Sequence, residues 1–352
     1  MADIIHVITD MEVGGAGILL SHLLSPTSKR QGSLVVLPEG SLLCSLLREK
    51  DIPFVTLEGA KESSFSLCDV RAVGRILEER KPRLLVSHAS LSARIAAKRL
   101  SIPALSVRHC DTPVFPFTAW LYNAVTDATV ATSLPLGKHL RESGIKNVHV
   151  IENGYTAMGV PTVGMKRAAR ASLHIPEGKI AVGLVGRLTP IKGHETALRA
   201  LALLGEKGKD FTLCFLGEGE EKERLVSLAF ALGIEKSVRF LGFSPDVRRF
   251  YHAIDAHISC SLGSETSSLS LAEGMSAGCP TLASDTEGNR ARLARGGLLF
   301  PVGDAEALSA LLFTLRDPKE RRRLSRFARR RTDALPTWEE MKREYGRLFH
   351  AF

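Results

Sequence analysis

The stretch KIAVGLVGRLTPIKGHETAL, residues 179–198, has the pattern of a buried strand, a tight turn and a helix in immediate succession. An apolar run of strand length ends at Val185-Gly186, Pro190 marks the turn, and helical spacing begins at about Gly193. A wholly apolar strand followed at once by a helix is typical of a parallel sheet with helices on both faces. This stretch therefore predicts an α/β fold.

The same alternation of short β-branched runs and helical spacing occurs in both halves of the chain. Such βαβ repetition predicts an α/β fold of two doubly wound, Rossmann-like domains that face each other across a cleft. In such sheets ligands bind beyond the carboxyl ends of the strands. The predicted strands are IIHVIT, SLVVLP, PFVTL, RLLVSH, ALSVRH, ATVAT and VHVIEN in the first half, and KIAVGLVG, FTLCFLG, VRFLG, AHISC, PTLAS and LLF in the second.

The length of 352 residues favours two domains over a single core. Residues 153–179 contain glycine and proline and are weakly periodic, so we interpret them as a linker. The predicted domains are 1–160 and 161–335, and the helix predicted within 336–352 could pack back on the first domain.

The composition is that of a folded soluble protein, with 44% hydrophobic and 24% charged residues. The six cysteines are scattered without a CxxC pair, which favours reduced thiols in a cytoplasmic protein over disulfides or zinc. No secretory leader and no apolar run of membrane-spanning length is present. We therefore expect a cytoplasmic protein.

The formal net charge of +9 is concentrated towards the C-terminus, above all in RRRLSRFARRR at 321–331. This cluster, Arg321 to Arg331, can attract an anionic partner, which could be a nucleotide, an acidic saccharide or a lipid surface such as the inner membrane face. A solvated helix face is the alternative, and it is slightly favoured. Nucleic acid is disfavoured because no aromatic-interleaved basic motif accompanies the charge.

Two cations bracket the turn of the opening stretch. Arg187 can chelate phosphate oxygens with its planar fork, and Lys192 supplies a point charge. The positive end of the following helix adds to both, so the pattern indicates a diphosphate site. A surface loop with ordinary basic residues is the alternative.

Two carboxylates lie in SETSSLSLAEGMSAGCPTLASD, residues 264–285. Glu265 precedes a helix that we expect to begin near Ser268, and Glu273 lies about one and a half turns inside it. The N–H groups of a helix start and two carboxylates suit a ligand with a diphosphate and sugar hydroxyls. Alternatively, Glu265 is a solvated loop charge and Glu273 is paired with an arginine.

Two weaker signals lie in the first half. Gly14, Gly15 and Gly17 separate a strand from a helix, which allows close backbone approach to a phosphate or simply a tight turn. His109 ends the strand ALSVRH and could bind a sugar hydroxyl or take part in a transfer step, with His88 as a competitor. Either histidine could instead be structural. Motifs for serine hydrolases, zinc proteases, P-loops and DxD metal sites are missing, so we predict no metal and no cofactor.

Together these segments resemble family-4 retaining glycosyltransferases of the GT-B fold. The resemblance spans nearly the whole chain and is densest from 181 to 308. The matching segments are GGAG at 14–17, SVRH at 106–109, NGYT at 153–156, GRLTPIKG at 186–193, FLGEGEEKERL at 215–225, VRFLGF at 238–243, the E-x7-E pair at 265 and 273 continuing to Asn289, and FPVGDAEAL at 300–308.

The resemblance implies an acceptor-binding first domain and a second domain that binds a nucleotide diphosphate-sugar as co-substrate. Arg187 and Lys192 would bind the diphosphate, Glu265 sugar hydroxyls and Glu273 the ribose. In the first domain, Gly14 and Gly15 would approach the phosphate, and His109 would face the transferred sugar and the acceptor. The other implied contacts are backbone N–H groups of Ser267, Ser268 and Leu269, and the border of the base at Phe243 and Ser244.

Three departures from the family pattern stand out: the last glycine of GGAG, TSS after Glu265, and Ala291 where a glutamate is usual. The second departure could alter donor choice. We expect a metal-independent retaining transfer to a hydroxyl of a saccharide or glycolipid, in envelope polysaccharide or lipopolysaccharide assembly. The alternatives are a nucleotide-sugar epimerase or hydrolase, and a nucleotide-sugar-binding protein without turnover.

Overall fold

The computed structural model describes residues 3–25, 32–59, 64–244, 246–263 and 265–352. Ser264, the first residue of the carboxylate segment, lies outside the described residues. The chain forms two compact units, Met1–Gly154 with Pro336–Phe352, and Tyr155–Leu335. The change of unit at Gly154 comes a few residues before the predicted boundary at 160.

The first unit is built on one parallel sheet of seven strands. Its order is β3-β2-β1-β4-β5-β6-β7, so the strand order reverses between β1 and β4. All five positions of β1 are buried, as expected for a strand covered on both faces. The strands are β1 Ile4–Ile8, β2 Ser33–Pro38, β3 Phe54–Leu57, β4 Leu84–His88, β5 Ala104–Arg108, β6 Ala128–Ala131 and β7 Val148–Val150.

Helices follow the strands of this sheet one by one. Their N-termini use side-chain caps where the sequence offers serine, as at Ser66, Ser90 and Ser133. The helices of this part of the chain are α1 Gly15–Leu23, α2 Leu43–Glu49, α3 Leu67–Arg80, α4 Leu91–Arg99, α5 Pro116–Ala124 and α6 Leu134–Glu142.

The second unit repeats the plan with a six-stranded parallel sheet of order β10-β9-β8-β11-β12-β13. Its strand order reverses between β8 and β11, which are hydrogen-bonded neighbours. The strands are β8 Ile180–Val185, β9 Phe211–Leu216, β10 Val238–Phe240, β11 Ala256–Ser259, β12 Thr281–Ser284 and β13 Leu298–Phe300. The helices are α7 Val163–Ser172, α8 His194–Leu203, α9 Lys222–Ala231, α10 Val247–Ala253, α11 Leu269–Ser276, α12 Glu287–Leu293, α13 Ala305–Thr314 and α14 Pro318–Thr332.

Every predicted strand is present, and the predicted pair of doubly wound, Rossmann-like sheets is confirmed. The reason is that buried parallel strands need nearly unbroken apolar runs, which are easy to recognise.

The change of unit at Gly154 lies at the start of the predicted linker, residues 153–179, and the rest of that segment contains helix α7. Thr162 caps this helix, while Lys166 and Arg170 bind the carboxylate of Asp255 at 2.6 and 2.9 Å. Asp255 in turn accepts a hydrogen bond from the backbone N–H of Ala181 at the start of β8. Polar contacts to a distant segment stabilise the helix, so its apolar periodicity is weak.

The last helix, α15 Trp338–His350, belongs to the first unit. Trp338 stacks on His22 with ring centroids 4.1 Å apart, and its backbone lies against Gly154, where any Cβ would be 2.6 Å away. Arg83 donates a hydrogen bond to the carbonyl oxygen of Phe349 at 2.7 Å. The packing of this helix is therefore specific at both of its ends.

In the described ranges, no helix combines the length and the apolar character that a membrane crossing requires. All six cysteines are free. Three of them are buried, whereas Cys68 and Cys110 are exposed.

Candidate functional site

Lys192 lies on the turn after β8. In the sheet β8 is the neighbour of β11, and the strand order reverses between these two strands. A short 3₁₀ turn, Pro190–Lys192, follows the strand, and α8 begins immediately after Gly193. The stem of Lys192 packs over Gly186, since a Cβ at that glycine would lie 3.5 Å from Lys192 Cδ. The turn is also tied to the loop after β11, because the N–H of Leu262 donates to the Ile191 carbonyl at 2.8 Å.

Gly193 is the residue that allows this close approach. Its φ of 64° lies in the left-handed region, and a Cβ there would lie 2.0 Å from the carbonyl oxygen of Cys260. Both the backbone conformation and the space exclude a larger residue.

We expect Gly193→Ala to destabilise the protein by about 3 kcal/mol or more, since it combines backbone strain with a clash against backbone. Gly205→Ala is the matched control, because Gly205 has a φ of 54° but no atom within 4 Å of its Cβ position. It should cost only about 1 kcal/mol. Urea unfolding of both variants measures the difference, and equal losses would contradict the clash.

Glu265, on the loop after β11, forms an ion pair with Lys192. The distance from Lys192 Nζ to Glu265 Oε2 is 2.5 Å, and Ser261 Oγ donates to the same oxygen at 2.8 Å. The two charged side chains are 29% and 17% exposed, so the pair is only partly screened by water. Gly288 backs the loop, since a Cβ there would lie 1.7 Å from the Glu265 carbonyl oxygen.

Arg187 is exposed and makes no side-chain hydrogen bond or ion pair with the described residues. The backbone next to it is well held, because Leu188 N–H donates to the Glu218 carbonyl at 2.8 Å. The Arg187 guanidinium is therefore exposed on a loop whose backbone is hydrogen-bonded, whereas the Lys192 ammonium is held in an ion pair with Glu265.

Helix α11 begins where the sequence predicts. Ser268 caps it by accepting from the N–H of Leu271 at 3.4 Å, and its hydroxyl lies 3.1 Å from that of Ser270. Ser267 and Leu269 are half-buried on either side of the cap. The first N–H groups of a helix have no partner within the helix, so this start is suited to an anionic or hydroxyl-bearing ligand.

Glu273 lies inside α11 beside a buried tyrosine. The Tyr251 hydroxyl is 3.1 Å from Glu273 Oε2 and 3.2 Å from the Ser270 carbonyl oxygen, and its single proton can serve one of them at a time. Burial raises the pKa of Glu273 to about 7, although the Tyr251 hydrogen bond and the charge of Arg292 favour the ionised form. This carboxyl therefore changes its charge near neutral pH.

Phe243 and Ser244 follow β10. Phe243 is 65% exposed, and Ser244 Oγ donates to the Asp246 carbonyl at 3.2 Å. Gly242 holds the start of this loop by accepting from the N–H of Gly217 at 2.8 Å. The contact of these residues with a base stays a prediction.

In the first unit, the glycine segment forms the start of α1. Gly14 is the N-cap residue without a side-chain cap, and Gly15 is exposed with no atom within 4 Å of its Cβ position. Gly17 has a different role, since a Cβ there would lie 3.0 Å from Leu43. Gly14 and Gly15 therefore leave open space at their Cβ positions, and their approach to a phosphate stays a prediction.

The two histidines that compete for one role lie at different depths. His88 is 1% exposed, whereas His109 is half-buried just beyond β5. The two rings are within hydrogen-bonding distance of each other, since His88 Nδ1 lies 3.0 Å from His109 Nε2. His109 is therefore the one placed to meet a ligand, and His88 lies behind it.

Two family models match consecutive parts of the chain. The one described as "Glycosyltransferase Family 4" matches residues 14–157, and "Glycosyl transferases group 1" matches residues 165–331. The chain belongs to glycosyltransferase family 4. The family named from the sequence motifs is thereby confirmed, whereas the retaining character and the roles of the E-x7-E pair stay predictions.

Curated relatives of this family-4 chain match parts of it. The lipopolysaccharide core biosynthesis glycosyltransferase LpsE of Rhizobium meliloti is 30% identical over 52% of each chain. A GDP-mannose-dependent alpha-mannosyltransferase of Mycobacterium tuberculosis is 30% identical over 60% of this chain and 57% of its own. The chain thus matches between half and three-fifths of the length of each of these two relatives.

Solved structures match the family-4 chain over its whole length. Anabaena HepE in complex with UDP and glucose has a TM-score of 0.87 at 19% identity, covering 100% of both chains. Sucrose-phosphate synthase of Thermosynechococcus elongatus has a TM-score of 0.81 at 20% identity, covering 100% of this chain and 99% of its own. At such identities the likeness establishes the fold, which is GT-B with two Rossmann-like domains.

Sequence reasoning missed two residues of the family-4 chain that hold the carboxylates. Ser261 donates to Glu265, and its position at the carboxyl end of β11 was a usable signal. Tyr251 lies on α10, far from Glu273 in sequence, and no local pattern indicates the contact. Among all the residues that the structure describes, no group of three or more His, Cys, Asp or Glu side chains is arranged to hold a metal ion.

Proposed function

We propose that the chain is a retaining glycosyltransferase that moves a sugar from a nucleotide diphosphate-sugar to a hydroxyl group of a saccharide or glycolipid. The observation that carries the proposal is the Lys192–Glu265 ion pair. The two residues follow β8 and β11, the strands between which the strand order reverses. In open α/β sheets this is the place where ligands bind.

The donor contacts follow from the charges at this place. Lys192 neutralises the negative charge that develops on the leaving diphosphate as the glycosidic bond breaks, and Arg187 adds a second, bidentate cation. Lys192 and Ser261 both contact Oε2 of Glu265. Neither contact therefore competes with sugar hydroxyls for Oε1. Glu273 accepts the ribose hydroxyls, and the start of α11 supplies N–H groups.

The remaining parts of the proposal concern the acceptor and the stereochemistry. His109 and Gly15 are the proposed contacts of the first unit with the sugar and the phosphate. The departing phosphate takes the proton of the acceptor hydroxyl on the same face of the sugar, so that the anomeric configuration is retained. The side-chain cations supply the charge that a metal ion would otherwise provide.

We further propose that the protein works on envelope polysaccharide or lipopolysaccharide at the cytoplasmic face of the membrane. The names of the relatives support the pathway class, since LpsE acts in lipopolysaccharide core biosynthesis. An anionic membrane surface could be met by α14, whose arginines at 322, 326, 329 and 330 are exposed.

Two arginines of the predicted basic cluster have structural roles instead. Arg321 donates to the carbonyl oxygen of Leu315, and Arg331 donates to the carbonyl oxygens of Arg292 and Ala291 at 2.9 and 3.0 Å. The proposed membrane contact therefore involves only part of 321–331.

The function is tested with the full chain and UDP-, GDP- and ADP-sugars. The matching donor should raise the melting temperature, and with a saccharide acceptor it should yield a product whose anomeric configuration, read by NMR, equals that of the donor. Addition of a chelator should leave the rate unchanged. Donor turnover without acceptor would instead indicate an epimerase or hydrolase, and binding without product for every acceptor would indicate a binding protein.

A further inference from the structure

Tyr251, the fifth residue of α10, is a buried tyrosine whose ring is fixed by its neighbours. Its exposed fraction is 0%. The ring lies edge-on to Phe250 with centroids 5.8 Å apart, and edge-on to His257 of β11 with centroids 5.7 Å apart. Its backbone carbonyl oxygen accepts from Cys279 Sγ at 3.6 Å. The position of the Tyr251 hydroxyl is therefore set by packing.

This hydroxyl bridges two acceptors on one face of α11. Its oxygen lies 3.2 Å from the carbonyl oxygen of Ser270 and 3.1 Å from Glu273 Oε2. Residues three apart lie on the same face of a helix, so one phenol from α10 can reach both. The phenol carries a single proton. Since the two distances are nearly equal, geometry allows this proton to go to either acceptor.

The backbone of Glu273 is held at a fixed depth beside the same tyrosine. Its neighbour Gly274 lies so close to β11 that a Cβ there would be 2.8 Å from His257 Cγ. Ser276 Oγ donates to the Glu273 carbonyl oxygen at 2.7 Å. A glutamate side chain can adopt several rotamers, so a further contact is needed to hold its carboxyl in one place.

The two carboxyl oxygens of Glu273 have different surroundings. Oε2 contacts the Tyr251 hydroxyl, whereas Oε1 makes no hydrogen bond to the residues that the structure describes. The residue as a whole is partly exposed. While Tyr251 occupies Oε2, Oε1 is therefore the oxygen that is left for a ligand.

Glu273 is the group in this part of the second unit that changes its charge near neutral pH, because burial raises its pKa to about 7. Other ionisable side chains packed around α11 include Arg292 of α12, His257 of β11, and Arg329 and Arg331 of α14. Burial lowers the pKa of His257 to about 3, so its ring is neutral, and the arginines keep their charge. The charges that face Glu273 therefore stay constant while it titrates.

The charge of Glu273 decides which acceptor the phenol serves. Burial and the neighbouring carboxylate raise the pKa of Tyr251 well above its ordinary value, so the phenol keeps its proton. When Glu273 is ionised, Oε2 is the stronger acceptor, since hydrogen bonds to a charged oxygen are stronger than those to a neutral carbonyl. When Oε2 is protonated, its O–H can donate to the phenol oxygen, and the phenol donates to the Ser270 carbonyl instead.

We propose that Tyr251 is a positioning residue for Glu273, whose hydroxyl holds Oε2 of the ionised carboxylate and leaves Oε1 to the ribose of the donor. When Glu273 takes up a proton, the same hydroxyl turns to the Ser270 carbonyl. The contact with the ribose rests on the proposed function, whereas the hydrogen bond that holds the carboxylate does not.

This hydrogen bond is tested by ¹³C NMR of the full chain with labelled glutamate carboxyls, titrated without any donor. Glu273→Gln assigns the signal. Tyr251→Phe keeps the ring but removes the hydroxyl that favours the ionised form, so the midpoint of the Glu273 titration should rise by about one pH unit. A midpoint that is unchanged or lower in the folded variant overturns the proposal, whether or not the protein transfers sugars.

Tyr345→Phe is the matched control for the loss of a buried hydroxyl. Tyr345 is also 0% exposed, but its hydroxyl has no hydrogen-bond partner among the described residues, and it lies in the other unit. This variant should leave the Glu273 midpoint at the parental value.

A second measurement uses the parental protein with tyrosines labelled at ¹³Cζ. The chain has four tyrosines, so substitution of the other three assigns the Tyr251 signal. This signal should shift with pH at the same midpoint as the Glu273 carboxyl, because the acceptor of the hydroxyl changes there. A Tyr251 signal that stays constant through the Glu273 titration contradicts the exchange of acceptors.

Donor binding tests the contact with the ribose separately. A pKa of Glu273 that is one unit higher leaves a tenth as much ionised carboxylate at about pH 6, so Tyr251→Phe should bind an intact nucleotide diphosphate-sugar about tenfold more weakly there. Isothermal titration calorimetry measures the affinity. If the NMR midpoint rises but the pH dependence of donor affinity is the same as in the parental protein, Tyr251 holds Glu273 and the assignment of this carboxylate to the ribose is wrong.

Discussion

Lys192→Ala should lower the rate of sugar transfer by about a hundredfold to a thousandfold, the usual effect of removing one preorganised group that stabilises transition-state charge. Lys192 is held over Gly186 and against Glu265, so its ammonium needs little reorganisation to act. The charge on the leaving diphosphate grows as the bond breaks. The loss should therefore fall mainly on kcat, measured in steady-state assays with the matching donor.

The fold should survive this substitution. The ion pair is partly exposed, so its removal should change the free energy of unfolding by no more than about 1 kcal/mol. Lys192→Met separates charge from packing, because it keeps the stem over Gly186, and it should be as inactive as the alanine variant.

Lys207→Ala serves as the matched control for lost charge. Lys207 is exposed and has no side-chain partner in the part of the chain that the structure describes. Its replacement should leave kcat unchanged. If Lys192→Ala in a folded protein transfers sugar at the parental rate, the diphosphate assignment is wrong.

Glu273→Gln should weaken donor binding by about 30-fold or more at about pH 8, because hydrogen bonds to a charged group contribute about 2 kcal/mol or more. In the proposed donor contact the ionised carboxylate accepts the two ribose hydroxyls, whereas a neutral amide would offer one weaker acceptor. Isothermal titration calorimetry with an intact nucleotide diphosphate-sugar measures the affinity. This probe has no terminal phosphate that titrates near neutral pH.

The pH dependence identifies the group. The pKa of the free carboxyl is raised to about 7, so below that pH it is protonated and must release its proton before binding. Parental affinity should therefore fall by about tenfold for each unit below pH 7 and reach a plateau above it. The donor affinity of Glu273→Gln should not fall with pH in this way. The difference in donor affinity between the parental protein and the variant should therefore narrow as pH falls.

Glu223→Gln is the control, since this exposed carboxylate lies on α9. Its affinity should follow the parental curve at every pH. A parental affinity that is flat between about pH 6 and pH 8 would show that Glu273 does not bind the donor as a carboxylate.

The candidate site could be predicted from the sequence where short-range patterns carry it. The turn at 186–193 and the start of α11 at Ser268 both rest on local chemistry, namely a strand end, a glycine and a capping serine. The helix α7 could not be predicted from short-range patterns, because Asp255, whose carboxylate binds two of its side chains, is far away in sequence.

The sequence by itself determined the two parallel sheets and the succession of strands and helices along the chain, and it supplied candidate residues for a diphosphate and sugar hydroxyls. It could do so because apolar period, glycine turns and helix caps act between residues close in the chain. Only the tertiary structure decided that Lys192 lies against Glu265, that Tyr251 holds Glu273, and that His88 stands behind His109. These contacts join strands, loops and helices that are distant in sequence, so each exists only once its own unit has folded.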